Sequence, residues 1–514
     1  MSGTGGRDNP AAGGMRILLI DIDNDAPAGA DSQLYARWSH HPLGLLSLAA
    51  AVRAVPGVEV RVLHTATTGD PAAAITAAVQ AAAPQLVGLR ALSIARDNFQ
   101  RLARLLRTLA PGAQLLGGGP YPSASYAELL AGGVVDLVVI GEGEATFVEL
   151  VRRRQRDGGL PGDLPGTAVR DGATVRRNPE REPVADLDAL PFPAYDLLDL
   201  AAYAGISNHA FQDASRCAFI CASRGCPYRC CYCHQMFGKR VRHRSAENIV
   251  AEMRAHAGRG ISSFVFVDDC FNVPPAAAKT TLRLIARELP GVRLNFPNGL
   301  RADMLDGEML DLLERAGTAH LALAVETASP RLQRLIGKNL DLAAARAAID
   351  AASRRFIVCT FYMIGFPTET RAEAEQTIAF AASLEHVAQP VLSIVRVYPG
   401  TPLAALLEPD AEQQQRLAEQ ENAMLQPKLG APMAFYGDYF PAERVPLRGL
   451  AIQELRWDWM RRVMMNPARI KSGHEVLGRH LPAEQVLRFY SNMFDIPGFA
   501  DTNLRQLLGD GANT

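Results

Sequence analysis

The sequence predicts an α/β protein in three parts: an N-terminal doubly wound parallel sheet, a central partial (β/α)6 barrel and a mainly helical C-terminal region. Three observations predict it. Short β-branched runs alternate with helix-like stretches over residues 15–150. The alternation resumes over residues 211–405 in six strand-then-helix repeats, too many for a small open domain and too few for a closed eight-unit barrel. From residue 406 to 514 the pattern is helical.

The elements follow in order. Met1 to Gly14 has no apolar core of a leader and is expected to be a disordered tail. Arg16–Ile22, Val58–Leu63, Gln85–Leu89, Gln114–Leu116 and Asp136–Ile140 read as strands. His41–Ala54, Pro71–Ala83 and Asp97–Leu109 read as helices. Gly117-Gly118-Gly119-Pro120 and Gly141-Glu142-Gly143-Glu144 follow strands directly, at the sheet edge where such folds bind ligands. Residues 151–210 are expected to form a connector, with Asp171-Gly172 turning a hairpin and Leu190-Pro-Phe-Pro-Ala194 as a stiff linker. Barrel strands are expected at Ala218–Cys221, Ser263–Val267, Arg293–Phe296, His320–Val325, Ile357–Ile364 and Leu392–Val397. Ser245 is placed to cap the helix that carries Ile249 and Met253.

Composition excludes several classes of function. The 514 residues carry 53 Lys and Arg against 54 Asp and Glu, a net charge of −1, which argues against a strongly basic nucleic-acid-binding protein. Hydrophobic residues make up 48%, yet no apolar run approaches the ~18 residues of a membrane span. A cytoplasmic protein is the expectation. Six of the eight cysteines fall between Cys217 and Cys233, a clustering that points to metal or catalysis rather than to disulfides.

The informative segment is Arg224-Gly-Cys226-Pro-Tyr-Arg-Cys230-Cys-Tyr-Cys233-His. Cys226, Cys230 and Cys233 stand at C-x3-C-x2-C spacing. Three thiolates on one loop hold three irons of a cubane and leave the fourth open to a small chelating ligand. Zinc is the alternative; a structural zinc site needs four ligands, which Cys231 or His234 would have to complete. Cys217, Cys221, Cys231, Cys270 and Cys359 read as structural, with Cys231 and Cys270 placed near enough to the motif to touch a substrate.

With aromatic Tyr232 before its last cysteine, this motif resembles the signature of the radical S-adenosylmethionine (SAM) enzymes. The resemblance extends to Val267-Asp268-Asp269, Val325-Glu326-Thr327-Ala328, Gly365-Phe-Pro-Thr-Glu369 and Val395 to Tyr398, each at a predicted strand end. It implies a [4Fe-4S] cluster on Cys226, Cys230 and Cys233. It further implies SAM contacts from Tyr232, Asp268, Asp269, Glu326, Thr327 and Val395. Tyr362, Arg396 and Tyr398 become substrate candidates, and the basic run Arg240, Arg242, His243, Arg244 a candidate anion anchor.

The N-terminal sheet resembles the Rossmann-like cobalamin-binding domain of one subclass of that family. The residues that carry this are His41, Leu43, Gly44, Ser93, Gly117, Gly118, Gly119, Pro120, Tyr121, Gly141, Glu142, Gly143, Glu144 and Thr146. Ser39-x-His41-x-x-Gly44 departs from the D-x-H-x-x-G pattern that supplies histidine to cobalt, because serine replaces the orienting aspartate. The subclass implies a methyltransferase. It moves a methyl group from SAM, via methylcobalamin, to an unactivated carbon of a small molecule such as a natural product. A cyclase or ring-rearranging enzyme is the alternative. A flavodoxin- or ferredoxin-like electron donor is implied as partner, and neither nucleic acid nor membrane.

Overall fold

The computed structural model describes residues 14–23, 39–206, 213–233, 237–398, 401–417 and 435–494. Apart from Gly14, the expected N-terminal tail lies outside these residues, as does His234. The chain divides into two compact units. One comprises residues 1–25, 42–184 and 189–202, and the other residues 26–41, 185–188 and 203–514.

The first unit is built on seven strands: β1 (Met15–Ile22), β2 (Val58–His64), β3 (Leu86–Ala91), β4 (Gln114–Gly118), β5 (Leu137–Val139), β6 (Thr167–Asp171) and β7 (Thr174–Arg177). Their order is β2-β1-β3-β4-β5-β6-β7, with the first five parallel. The hairpin expected in the connector is β6–β7. It extends this sheet, because β6 pairs antiparallel with β5. Both faces are covered, as the runs of apolar residues on β1 and β3 require. Helices α1 (Leu43–Val52) and α6 (Glu144–Asp157) bury Leu45, Ala49, Phe147 and Leu150 on one face. On the other, α2 (Pro71–Ala82) and α3 (Arg96–Leu109) bury Ile75, Val79, Phe99 and Leu102. Two short helices, α4 (Pro120–Ala124) and α5 (Tyr126–Ala131), follow β4. The strand order reverses between β1 and β3, and a crevice opens at the carboxyl end of such a reversal.

The second unit carries six parallel strands in an open arc, ordered β15-β14-β13-β12-β11-β8. They are β8 (Cys217–Ile220), β11 (Ser263–Phe266), β12 (Arg293–Leu300), β13 (Thr318–Glu326), β14 (Ile357–Ile364) and β15 (Gln389–Ile394). The pair β9 (Ser223–Arg224) and β10 (Arg242–His243) forms a small ribbon after β8. Helices α7 (Ala246–Ala257), α8 (Pro275–Glu288), α9 (Gly307–Arg315), α10 (Pro330–Leu335), α11 (Leu342–Ser353) and α12 (Arg371–Ala382) connect successive strands. Ser245 caps α7 as its spacing predicts, accepting the Asn248 N–H at 3.1 Å. Beyond β15 come α13 (Pro402–Leu407), α14 (Gly449–Trp459), a π-helical turn over Met460–Met464, α15 (Pro467–His480) and α16 (Ala483–Phe494). The last two pack Val476, Leu477 and Phe489 against Ile357 and Ala388.

The basic run after the cysteine loop is structural apart from exposed Arg240. Arg242 is buried and donates to the Phe237 carbonyl, and His243 Nε2 meets the Val273 carbonyl at 3.0 Å. Arg244 donates to Asn248 Oδ1 at 2.7 Å and ion-pairs with Glu252, whose side chain is 1% exposed. Removing the acid strands a guanidinium that is itself only 10% exposed. Glu252→Ala is expected to cost about 3–5 kcal/mol of unfolding free energy in urea titration, and Glu252→Gln less, because a neutral acceptor remains.

Candidate active site

The cysteine loop leaves the arc at the carboxyl end of β8 and, among the described residues, makes little regular hydrogen bonding of its own. Its neighbours hold it. Gly225 has φ +95°, and a Cβ there would lie 2.4 Å from the Arg240 carbonyl oxygen. Cys226 N–H donates to Gly238 O at 3.2 Å and Cys231 N–H to Ile336 O at 2.9 Å. The Cys231 carbonyl in turn accepts the Leu403 N–H at 2.8 Å. Gly337, at φ +69°, presses on the loop from the α10–α11 connection; a Cβ would sit 2.5 Å from the Arg229 oxygen. Only glycine fits two such approaches.

Arg301, at the end of β12, ties the same connection to the loop. It stacks over the Tyr228 ring at 3.9 Å, pairs with Asp303 at 2.7 Å, and donates to the carbonyls of Lys338 and Asn339, each at 2.9 Å. Held this way, Cys226 and Cys230 are half-buried and Cys233 is exposed. Among the described residues, no three His, Cys, Asp or Glu side chains converge on one point as a single metal ion needs. Three thiols on one loop, each at least partly exposed, suit a cubane, in which each thiolate takes its own iron. Cys270 is buried beside the loop. Its thiol hydrogen-bonds Cys226 and, with the Tyr228 amide, draws the Cys226 thiol down to about 6 against the opposing effect of burial. Cys270 therefore backs the loop rather than facing a substrate. The half-buried Cys231 thiol is pushed up to about 11 by burial.

The carboxylates at the strand ends divide into two kinds. Asp268 is 1% exposed and spoken for: Ser223 Oγ donates to it at 2.5 Å and Ala222 N–H at 3.3 Å. Burial pushes its carboxyl up to about 6. Asp269 accepts the Gly225 amide, so both aspartates brace the stem of the cysteine loop. Glu326 is different. It ends β13 beyond a register shift with φ +69°, a strained conformation for a residue with a Cβ, and strain of this kind gathers at functional sites. Its Oε1 accepts Lys338 Nζ at 2.9 Å and Tyr232 OH at 3.1 Å. Lys338 also acts on Cys230, whose thiol it lowers against the larger effect of burial. Tyr232, Glu326 and Lys338 thus form one polar cluster beside a cysteine of the motif. Lys338 escapes a reading of the sequence because its loop carries no motif.

Thr327 is buried and staples its own turn, with Oγ1 3.3 Å from Thr377 Oγ1 and accepting Ser329 N–H at 3.1 Å. Val395 is buried, its N–H on Ile364 O at 2.9 Å. Arg396 is exposed and Tyr398 half-buried, one and three residues on. Tyr362 corrects the sequence reading. Its ring packs on Phe380 of α12 at 6.4 Å and on Trp459 of α14 at 5.4 Å, so it faces the outer helices. Strand alternation therefore gives the inner face to Phe361 and Met363, both half-buried.

In the first unit, the ligand-side positions also divide. Gly44 and Gly141 are exposed, with no atom within 4 Å of where a Cβ would stand, and Gly118 has only Val139 O at 4.0 Å. These leave backbone open to a flat ligand. Leu43 begins α1, Pro120 begins α4, and Ser93 lies half-buried in a short turn after β3. Others serve packing. A Cβ at Gly117 would meet Pro122 at 3.0 Å, at Gly119 Arg90 at 2.8 Å and at Gly143 Leu48 at 2.9 Å. Tyr121 is buried on Phe99, its hydroxyl accepting from Gln100 at 3.0 Å. Glu142 accepts the Val184 N–H at 3.3 Å, and Glu144 and Thr146 are buried in the first turn of α6. Arg90 Nη1 reaches both Asp21 oxygens at 2.8 Å across the β1–β3 reversal, a pair the sequence pattern does not flag.

His41 packs in the second unit. It is buried, 4.5 Å from Tyr203 and 4.8 Å from Phe219 between ring centroids, and its Nε2 lies 2.9 Å from the Ala214 carbonyl. A carbonyl only accepts, so Nε2 carries the proton and its lone pair is not offered to a metal.

A family model described as the Radical SAM superfamily matches residues 220–381, and one described as B12 binding domain matches residues 36–151. The chain belongs to the cobalamin-dependent radical SAM enzymes. Its cofactors are a [4Fe-4S] cluster, SAM and cobalamin. This enzyme is 29% identical to an uncharacterized methyltransferase of Pyrococcus horikoshii, over 76% of its own chain and 82% of that one. It is 26% identical to the cytidylyl-2-hydroxyethylphosphonate methyltransferase of Streptomyces wedmorensis, over 62% of its chain and 65% of that one. It is 27% identical to an anaerobic magnesium-protoporphyrin IX monomethyl ester cyclase of Synechocystis, over 65% and 66%. The fold is shared with the radical SAM methyltransferase TsrM of Kitasatospora setae, at a TM-score of 0.63 and 20% identity, over 77% of this chain and 78% of that one.

Glu369 lies in the turn after β14. Its Oε2 accepts the amides of Gly365 at 2.5 Å and Phe366 at 2.9 Å, and burial pushes the carboxyl up to about 8. In the unfolded chain a glutamate titrates near ~4.3. Between those values the native state holds the extra proton, so stability falls as pH rises from about 4.5 to about 8. Glu369→Gln is expected to flatten this part of the stability profile, read by denaturant unfolding at a series of pH values.

Proposed function

We propose that this enzyme methylates an unactivated carbon of a small molecule, taking the methyl group from SAM by way of its cobalamin. One observation carries the reading: a three-thiol loop beside a strained, lysine-paired Glu326 occurs in the same chain as a sheet whose ligand edge leaves Gly44, Gly118 and Gly141 open. The relatives named as methyltransferases support it. When bound, the cluster supplies the electron that cleaves SAM and cobalamin carries the methyl group.

The protein's own residues do the rest. Cys226, Cys230 and Cys233 hold the cluster, and Asp268 and Asp269 keep their loop in register with β8 and β11. Lys338 and Tyr232 fix the Glu326 carboxylate, which is placed to accept hydrogen bonds from the hydroxyls or ammonium of SAM. Phe361 and Met363 supply an apolar inner wall that keeps water from a reactive intermediate. A flavodoxin- or ferredoxin-like protein delivers the electron, in the cytoplasm, where free thiols stay reduced.

The test uses enzyme purified without oxygen and reconstituted with iron, sulfide and hydroxocobalamin. Reductant and methyl-deuterated SAM are added and the bound corrin is analysed by mass spectrometry. Label on the corrin is the expected result. A corrin that stays bound but unlabelled would favour radical cyclisation or rearrangement, as in the cyclase relative.

A further inference from the structure

The cysteine loop also has a solvent side, and that side is basic. Pro227 and Arg229, which lie between the first two cysteines of the motif, are exposed. Cations flank this segment on both sides. On one side stand Lys239 and Arg240. Lys239 Nζ donates to the Tyr228 carbonyl, and the Arg240 oxygen lies 2.4 Å from where a Cβ on Gly225 would stand. On the other side a Cβ on Gly337 would meet the Arg229 oxygen at 2.5 Å, and the Gly337 N–H donates to the Arg334 carbonyl at 3.1 Å. Arg229, Arg240 and Arg334 are all exposed. Met304 adds apolar surface beside them. It is 36% exposed, and its N–H donates at 3.2 Å to the carbonyl of Arg301, whose guanidinium stacks over Tyr228.

The charges here do not cancel. Among the described residues, Arg229, Arg240 and Arg334 form no ion pair. The acids around the loop are committed elsewhere. Asp303 pairs with Arg301 at 2.7 Å, Glu326 with Lys338 at 2.9 Å, Asp269 accepts the Gly225 amide, and Asp341 caps α11 through the amides of Ala343 and Ala344. Unpaired arginines around a small apolar centre have the composition of a protein interface, where arginine is enriched and a charged rim surrounds an apolar core. The position matters as much as the charge. Pro227 follows Cys226 directly and Arg229 precedes Cys230, so this surface lies just outside two cluster ligands. Electron tunnelling falls steeply with distance, and an electron bound for the cluster has its shortest way in here.

We infer that the basic side of the cysteine loop is the docking surface of the electron donor, and that the donor is an acidic carrier protein steered by Arg229, Arg240 and Arg334. One electron passes in each encounter: the carrier is oxidised by one, the cluster is reduced by one, and no bond or proton moves with it. A small, salt-sensitive interface suits such a transient encounter. The inference rests on the reading of Cys226, Cys230 and Cys233 as cluster ligands, and it stands whichever atom is methylated.

The test mixes anaerobic, cluster-loaded enzyme and SAM with the hydroquinone of a bacterial flavodoxin in a stopped-flow spectrometer. The flavin semiquinone is followed by absorbance, and the reduced cluster is counted by electron paramagnetic resonance. Reduced methyl viologen, a small cationic donor that needs no docking, is the control. The native flavodoxin rate is expected to fall with added salt. Arg229→Glu and Arg334→Glu, each with unchanged iron and sulfide content, are expected to slow flavodoxin about tenfold at low salt, and more when combined, while the methyl viologen rate holds. A flavodoxin rate that persists in the double variant, or that falls no further than the methyl viologen rate, overturns the docking surface. Native enzyme that neither donor reduces overturns the cluster reading beneath it.

Discussion

The Cys231 peptide is held on both sides. Its N–H is spent on Ile336 and its carbonyl on Leu403, so the middle of the cysteine loop is tied to the α10–α11 connection and to the start of α13. The loop that presents three thiols pairs little of its own backbone among the described residues, Cys233 N–H reaching Cys230 O at 3.3 Å. Partners for its other peptides have to come from elsewhere in the chain. Much of the carboxyl edge of the arc answers that need. Gly225 and Gly337 permit close approach, Arg301 stacks on Tyr228, and Asp268 grips Ser223. The barrel strands act less as a container than as a frame that clamps one irregular loop.

The same frame explains how similar carboxylates take different tasks. Asp268 and Glu369 are buried and accept neighbouring backbone amides, and burial favours their protonated forms. They position backbone. Glu326 instead meets a lysine and a phenol, and its left-handed backbone turns it away from the strand it ends. A carboxylate that reaches a lysine and a phenol at the mouth of a strand suits the recognition of a cationic or hydroxyl-rich ligand. Strain at φ +69° is tolerated because Lys338 and Tyr232 fix the side chain.

Much of this is legible in the sequence. The strand over Ile357–Ile364 matches the observed β14 because it is a continuous, β-branched and aromatic apolar run, and Asp97–Leu109 lies within one residue of α3 because its apolar residues recur at helical spacing. The C-x3-C-x2-C spacing locates the loop. What stays hidden depends on contacts between distant residues. Tyr362 ends up on the outer face because Trp459 and Phe380 cover it, and no local pattern says which side of a doubly buried strand faces inward. Spacing alone marks His41 as a metal candidate, yet its ring is set against Tyr203 and Phe219, far along the chain. Lys338 is a single basic residue without a motif, and only folding reveals what it faces.

The central claim is that this clamped loop holds a cluster with one iron open to SAM, beside Glu326 and Lys338. Electron–nuclear double resonance on the reduced, reconstituted enzyme tests it most directly, using SAM labelled at its amino nitrogen and carboxylate oxygens. Coupling of both labels to the cluster is the predicted result, with the amplitude at a fixed SAM concentration reduced in Lys338→Met. A cluster that forms on Cys226, Cys230 and Cys233 but shows no coupling to either label would contradict the account.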